Sequence, residues 1–274
     1  MGFYGPAQLV QDAKRHGVDV RPVDVQISRS DCTLERGHDG SPAVRLGLRM
    51  VKGMSLAGQG RIEAARTRPY ESAEDVARRA TLDRRDMNAL ASSGALASVS
   101  GHRRLAAWNV SGIAISAGLL RDAPIIETVP DIPAPTEGQD LVADYGTLGL
   151  TLGRHPLALL REQLAAMRIK SARQIDQLSH GSYVRTAGIV TCRQRPGTAS
   201  GVIFVTLEDE TGNINVIVWN NVLEKQRREL LGSRLLGVGG QIQREGKVIH
   251  LVASRLFNYT RLLGSLMTTN RDFH

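Results

Sequence analysis

Lys52-Gly53-Met54-Ser55 is a short turn set between Leu46–Val51 and Leu56–Arg66, two stretches of helical composition. A helix, a tight turn and a second helix make a helix-hairpin-helix. Small residues in such a turn let backbone N–H groups approach a phosphate, and the N-terminus of the second helix adds the positive end of its dipole. Lys52 and Arg61 supply flanking charge, while Ser55 stands where a second glycine is expected. A weaker version recurs at Met87–Leu96, around Ser93-Gly94-Ala95-Leu96, and His102, Arg103 and Arg104 open the helix that follows. The chemistry this pattern supports is sequence-independent contact with duplex phosphates through Lys52, Gly53, Met54, Ser55, Arg61, Gly94, Arg103 and Arg104. The same glycines would also end the helices of an ordinary bundle. Recurrence of the hairpin within a basic segment favours the phosphate reading.

A second set of residues suits a single strand. In Val202–Leu207, alternation puts Ile203, Val205 and Leu207 on one face and Phe204 and Thr206 on the other. The aliphatic face is expected in the core, which leaves Phe204 as a stacking platform for bases. Asn215 is the matching outer residue of the next strand and can read a base edge. Arg185 is assigned to the same face of the first strand, Arg193 and Arg195 to the loop after it, and Arg244 and Lys247 to the last hairpin. The acidic run Glu208-Asp209-Glu210 reads as a solvated turn rather than a metal site, and Trp219 as core.

The elements that must position these residues follow from periodicity and punctuation. Residues 7–16 read as an amphipathic helix ended by Gly17, and 18–25 as extended, with Pro22 excluding a central strand. Residues 28–41 read as loop. From Ala43 to about Leu120 the pattern is helical, with Ser72 and Asp83 as N-caps. Asp122–Gln139 holds Pro124, Pro130, Pro133 and Pro135 among acids and reads as a flexible spacer. From Tyr183 the period changes to two, with apolar runs at 183–191, 202–207, 214–219, 235–242 and 248–253 and one helical stretch, Asn221–Leu231, after the third. That is the order of an OB barrel. The expected fold is therefore α+β and multidomain. A fingers-like end at 1–42 precedes a tandem hairpin domain at 43–121. A Pro-rich acidic linker (122–140), a helical connector (141–181), an OB domain (182–260) and a tail (261–274) follow.

Charge supports this division. Residues 1–121 carry 18 basic and 12 acidic side chains, 122–181 carry 5 and 8, and 182–274 carry 12 and 7. Two basic modules thus flank an acidic connector, and basic modules attract phosphate by releasing its counterions. Cys32 and Cys192 are isolated in sequence, which argues against a disulfide framework or a zinc site. No apolar run reaches the length of a membrane span, and the N-terminus lacks signal-peptide features, so a cytoplasmic, nucleoid-associated location is expected.

Longer stretches resemble one family. Met1–Val25, the Gly47–Arg66 hairpin, Leu148–Leu157 with its Gly153-Arg154-His155-Pro156, and Arg193–Gly212 are similar to the bacterial C-family DNA polymerases, the polymerase III alpha subunit. Gly-Arg-His-Pro, Arg195-Pro196-Gly197-Thr198-Ala199 and the final Arg271-Asp272-Phe273-His274 resemble the error-prone, damage-inducible branch most. The resemblance implies hairpins that grip duplex DNA at Lys52–Ser55 and Ser93–Leu96, and an OB domain near single-stranded template at Phe204. It implies translesion synthesis and damage-induced mutagenesis as the setting, with accessory proteins of mutagenesis and, through them, the sliding clamp as partners. It also places the palm carboxylates and their Mg²⁺ ions upstream, so no cofactor is expected within these residues.

Two other classes fit parts of the pattern. Phe204–Gly212 is similar to the anticodon-binding barrel of class II aminoacyl-tRNA synthetases, which would suit a stand-alone RNA-binding adaptor. Some OB barrels bind only proteins, which would suit an interaction module. No acidic pair in the sequence has the setting of a two-metal site. Primer extension with Mg²⁺ and four nucleotides should therefore give no product with this chain, and template-directed extension by pure protein would contradict the reading.

Overall fold

Short segments at Asp19–Arg21 (β1) and Pro42–Arg45 (β3), each with one central valine, pair in parallel, and Thr33–Arg36 (β2) adds antiparallel to β3. β1 ends where Pro22 removes the next donor. Strand β2 lies inside the 28–41 segment expected as loop. Its polar side chains hid it, because its burial comes from an ion cluster. Arg45 donates to both carboxylate oxygens of Glu35, at 3.0 and 3.1 Å, and Arg21 donates to Oε2 at 2.9 Å. In this computed structural model the described residues are 5–37, 40–113, 131–195, 201–246 and 248–266. Among them no helix is long and apolar enough to cross a membrane. They fall into two compact units that divide between Gly153 and Arg154.

In the first unit, α1 (Pro6–Arg15) ends at Gly17, which takes a φ of +77°. After the sheet, a single 3-10 turn at Leu48–Met50 leads to α2 (Leu56–Ala65), α3 (Ala73–Arg79), α4 (Arg84–Ser93), α5 (Ala97–Ser100), α6 (Arg103–Gly112) and α7 (Glu137–Thr147). The sequence suggested a full helix before the Lys52 turn. The N–H groups of Leu48 and Arg49 instead donate to Arg29 and Ser30, and Gly47 lies against the backbone of Ser30 and Asp31. Gly47 and Val51 are held in extended backbone conformations on either side, so only one 3-10 turn fits between them. Ser72 and Asp83 cap α3 and α4, accepting from Asp75 and Asp86 N–H. Leu48, Ile62, Met87, Leu90, Leu96 and Leu150 fill the centre of the unit.

The 122–140 linker falls partly outside the described residues. Its described end is held rather than free. Ile132 C=O lies 3.0 Å from His102 Nε2, Pro133 C=O accepts from Arg104 at 3.1 Å, and Thr136 caps α7 in a capping box with Gln139. Beyond the end of α7 the chain runs on through Leu150 and Thr151, which are buried in the first unit. The 141–181 stretch is thus divided, with its second half in the other unit.

The second unit begins with α8 (Pro156–Ala166) and α9 (Ala172–Ile175). Five strands follow: β4 (Tyr183–Gln194), β5 (Ile203–Asp209), β6 (Gly212–Val218), β7 (Leu235–Glu245) and β8 (Val248–Asn258). Helices α10 (Asn220–Lys225) and α11 (Arg227–Gly232) lie between β6 and β7. The order β4-β5-β6-β8-β7 closes into a barrel through the parallel β6–β8 pair. This is the five-stranded OB arrangement expected from the sequence. Leu207, Leu236, Val218 and Leu251 are among the side chains that fill it, while Leu157 and Leu164 of α8 pack with Ala187 and Leu235 in a separate cluster.

The Glu35 cluster makes the first unit acid-sensitive. Hydrogen bonding to Arg45, with Arg21 adding to it, holds the Glu35 carboxyl below the usual carboxylate range. A depressed folded pKa contributes stability that is present above the unfolded value of about 4.3 and is lost as pH falls through the folded one. Denaturation measured from pH 7 downward should show a steeper loss below about pH 4.3 for the native chain than for Glu35→Gln. Equal slopes would mean the cluster contributes nothing.

Candidate nucleic-acid interface

The Lys52–Ser55 turn is built as expected and occupied as not expected. Gly53 takes a φ of +85° with open space on its Cα, so the turn requires glycine there and leaves its backbone accessible. Ser55 is the N-cap of α2, its Oγ accepting from Gly58 N–H at 2.9 Å. The site for an anion at the start of α2 already holds one. Asp86, on α4, is 1% exposed and accepts from Ser55 N–H and Ser55 Oγ–H, each at 2.7 Å. Gly58 is required for this approach, since a Cβ there would lie 2.2 Å from Asp86 Oδ2. A buried carboxylate at a helix N-terminus satisfies the same donors and dipole as a phosphate. What remains for a ligand is the outer rim, the N–H groups of Gly53, Leu56 and Ala57. Those of Leu56 and Ala57 have no intrahelical acceptor. Met54 is buried, so it supports the turn rather than touching a ligand.

The basic residues assigned to the hairpins are largely engaged. Lys52 Nζ donates to Tyr145 and Gly146 C=O, 3.0 and 3.3 Å, at the end of α7, though it stays exposed. Arg61 Nε donates to Ala80 C=O, and its Nη2 lies 3.8 Å from Asp86. Gly94 is left-handed, φ +79°, and closes α4. Arg103 folds back over it, donating to Ser93 C=O and pairing with Asp140 at 2.6 Å and Asp144 at 2.5 Å. Two carboxylates therefore remove Arg103 from the phosphate-binding set. Arg104 is exposed but donates to Pro133 C=O and Gln139 Oε1.

Arg84 and Arg85, which the sequence reading overlooked, are exposed in the first turn of α4. Cations at a helix N-terminus oppose the dipole. That placement, visible in Asp83-Arg84-Arg85-Asp86, was the available signal. Asp86, which bonds Ser55, follows directly after them, so both arginines lie on the helix turn that packs against the start of α2.

On the barrel, the alternation in β5 holds. Ile203, Val205 and Leu207 are buried, and Phe204 is 37% exposed. Phe204 pairs across to Ile217, Thr206 to exposed Asn215, and Asn215 to His250. Trp219 is 52% exposed, not core, and two extended residues beyond Ile217 put it on the Phe204 side. Arg195 is exposed beyond the end of β4.

The other assigned cations lie elsewhere. Arg193 donates to Leu230 and Ser233 C=O and closes the end of α11. Arg244 donates to Asp176 and Leu178 C=O below α9. Arg185 is nine residues along β4 from Gln194, the partner of Phe204, a path of at most roughly 30 Å along the strand at about 3.3 Å per residue. Lys247 lies outside the described residues.

The Glu208–Glu210 turn is not solvated. Asp209 has no exposed side-chain surface and accepts from the N–H groups of Ala172, Thr211 and Gly212, while Arg161 pairs with Glu210 at 2.6 Å.

With the two surfaces placed, comparison with known proteins adds their kinship. A helix-hairpin-helix motif model matches residues 17–106, and an OB-fold nucleic acid binding domain model matches residues 184–258. All of the chain aligns at 54% identity with an error-prone DNA polymerase of Alkalilimnicola ehrlichii, covering 27% of that protein. It aligns at 53% with one of Azoarcus sp. strain BH72, covering 26%. The chain matches the C-terminal part of the error-prone DNA polymerases. It spans about a quarter of the length of these relatives. Its two modules are nucleic-acid-binding modules. Part of this chain is also similar in structure to asparaginyl-tRNA synthetase from Pyrococcus horikoshii. That likeness has 22% identity over 33% of this chain and 22% of the other, and its TM-score of 0.28 says nothing of function.

The face assignments have a direct check. Phe204→Ala should change the unfolding free energy by less than about 1 kcal/mol, whereas Leu207→Ala should cost about 2–5 kcal/mol. A large loss in the first variant, measured by urea denaturation, would reverse the faces of β5.

Proposed function

We propose that this chain is the DNA-holding part of an error-prone DNA polymerase that acts in translesion synthesis and damage-induced mutagenesis. The observation that supports this most is the match over all of the chain to such polymerases, at 54% identity. In this reading the helical unit holds duplex DNA by its backbone. Gly53, Leu56 and Ala57 offer N–H groups, and Lys52, Arg61, Arg84 and Arg85 supply charge around them, with Arg104 at the second hairpin. Contacts of this kind fix position without reading sequence. The barrel holds single-stranded template, with Phe204 and Trp219 as stacking faces, Asn215 at a base edge and Arg195 at a phosphate. Nucleotidyl transfer and its Mg²⁺ ions belong to the palm of such a polymerase. Accessory proteins of mutagenesis, and the sliding clamp through them, are the partners this role calls for, and the nucleoid is its place.

Binding measurements separate the two surfaces. Three to four phosphate contacts predict a slope of log K against log salt of roughly −3 to −4 for duplex DNA. Arg84→Glu with Arg85→Glu should weaken all duplex sequences alike, and a flat salt dependence would refute the duplex role. Phe204→Ala should cost about 1–3 kcal/mol of single-strand affinity, roughly five- to 150-fold, and leave duplex binding unchanged. Preference for RNA over DNA of equal length would turn the barrel into an RNA-binding module.

A further inference from the structure

Another surface of the barrel is built from the first half of β4 with β7 and β8. Strand β7 carries glycine at Gly237, Gly239 and Gly240. A Cβ on Gly237 would lie 2.3 Å from the Tyr259 ring, and one on Gly239 would lie 2.7 Å from Tyr183 Oη. The Tyr259 ring and the Tyr183 hydroxyl therefore approach the strand backbone where these glycines lack a side chain. Opposite Gly239 and Gly240 the register of β8 shifts, leaving Ser254 as an extra residue. Ser254 and Arg255 are exposed in succession, so the bulge turns Arg255 onto the outer face. The guanidinium groups of Arg185 and Arg255 each lie 5.2 Å from the Phe257 ring centroid. Phe257 and Tyr259 are parallel within 2° at 5.7 Å, and Arg185 donates to Tyr259 Oη at 2.9 Å. Tyr183, 61% exposed, borders the group, with its Oη 3.3 Å from Ser254 Oγ. Among the described residues no carboxylate pairs with Arg185 or Arg255.

We infer that this strip is a second single-strand site, in which a base stacks on Tyr183 and phosphates pair with Arg185 and Arg255. It rests on the reading of the barrel as a single-strand binder and adds a surface at most roughly 30 Å along β4 from Phe204. Charge and shape name the occupant. Two guanidinium groups without carboxylate partners call for an anion, and the Phe257 ring, with the Tyr259 hydroxyl on Arg185, fixes their positions. A single strand alternates π-faces with phosphates, the two kinds of group that Tyr183 and the two arginines can bind. A folded protein partner would need an apolar patch or pocket to bury. Here the glycines flatten the sheet, and Ser254 and Gln241 are polar.

The test uses the full chain and oligothymidylate of about 24 nucleotides, longer than one barrel face holds. Arg255→Ala and Tyr183→Ala are measured beside Phe204→Ala, with thermal unfolding as a control. Arg255→Ala should weaken binding about fivefold or more and lower the salt slope by about 0.7, the value for one single-strand phosphate contact. Oligonucleotide carrying 5-iodouracil should crosslink to Tyr183 or Phe257. If Phe204→Ala weakens binding while both strip variants leave affinity and slope unchanged, the inference fails and the barrel reading stands. If the strip variants weaken it and Phe204→Ala does not, the strip is supported and the Phe204 assignment falls. Absence of single-strand binding would overturn both. Arg255→Ala that reduces binding of polyglutamate but not of oligothymidylate would reassign the strip to an acidic protein. Should Tyr183→Ala unfold, Arg255→Ala alone decides, since its side chain is exposed.

Discussion

A buried aspartate at the start of a helix organises each of the two modules. Asp86 joins α4 to the first turn of α2 through Ser55. Asp209 ties the β5–β6 turn to the first turn of α9 through Ala172 N–H. Helix N-termini carry unsatisfied N–H groups and a positive dipole end, so a carboxylate placed there removes two costs together. Left without these donors, either charge would be prohibitive to bury. Glycine follows from the same constraint, since Gly58 is needed to let the carboxylate of Asp86 approach.

These internal anions define the surface available to an external one. The start of α2 cannot admit a phosphate as deeply as a vacant helix end would, so the proposed contact lies farther out, at the Gly53 turn and the arginines of α4. Cations follow a similar logic. Arg61, Arg103, Arg193 and Arg244 each donate to backbone carbonyls at or near the end of a helix. Such carbonyls lack intrahelical partners and favour a positive side chain. Much of the basic charge that suggested nucleic acid therefore serves the fold. On the proposed reading, the cations left outside, Arg84, Arg85, Arg195 and Arg255 among them, carry more of the binding than those engaged within the fold.

The barrel shows how one strand geometry serves two surfaces. Alternation in β5 presents Phe204 outward because its neighbours fill the core. On β7 the opposite device operates, with glycines removing side chains so that tyrosines from β4 and from beyond β8 can approach the backbone. Neither arrangement is a pocket. Both set aromatic rings beside polar or cationic groups, the arrangement on which the proposed stacking rests.

The five strands of the barrel, the caps at Ser72 and Asp83, and the outward face of Phe204 were legible in the sequence. All rest on local rules, the two-residue period of a strand and the hydrogen bond from a cap to its own helix. The long matching motifs carried the kinship with the polymerases in the same direct way. What the sequence could not show depends on partners distant along the chain. Strand β2 exists because Glu35 meets Arg45 and Arg21, and Arg103 is neutralised because α7 returns to it from beyond residue 130. Arg185 and Phe204 seemed to share a face because both alternate outward, but β4 is long enough to serve both sides of the barrel. Charge and alternation identify candidates. Only tertiary contacts decide which donors remain unsatisfied, because a guanidinium or an N–H group bonds the first well-placed acceptor the fold presents.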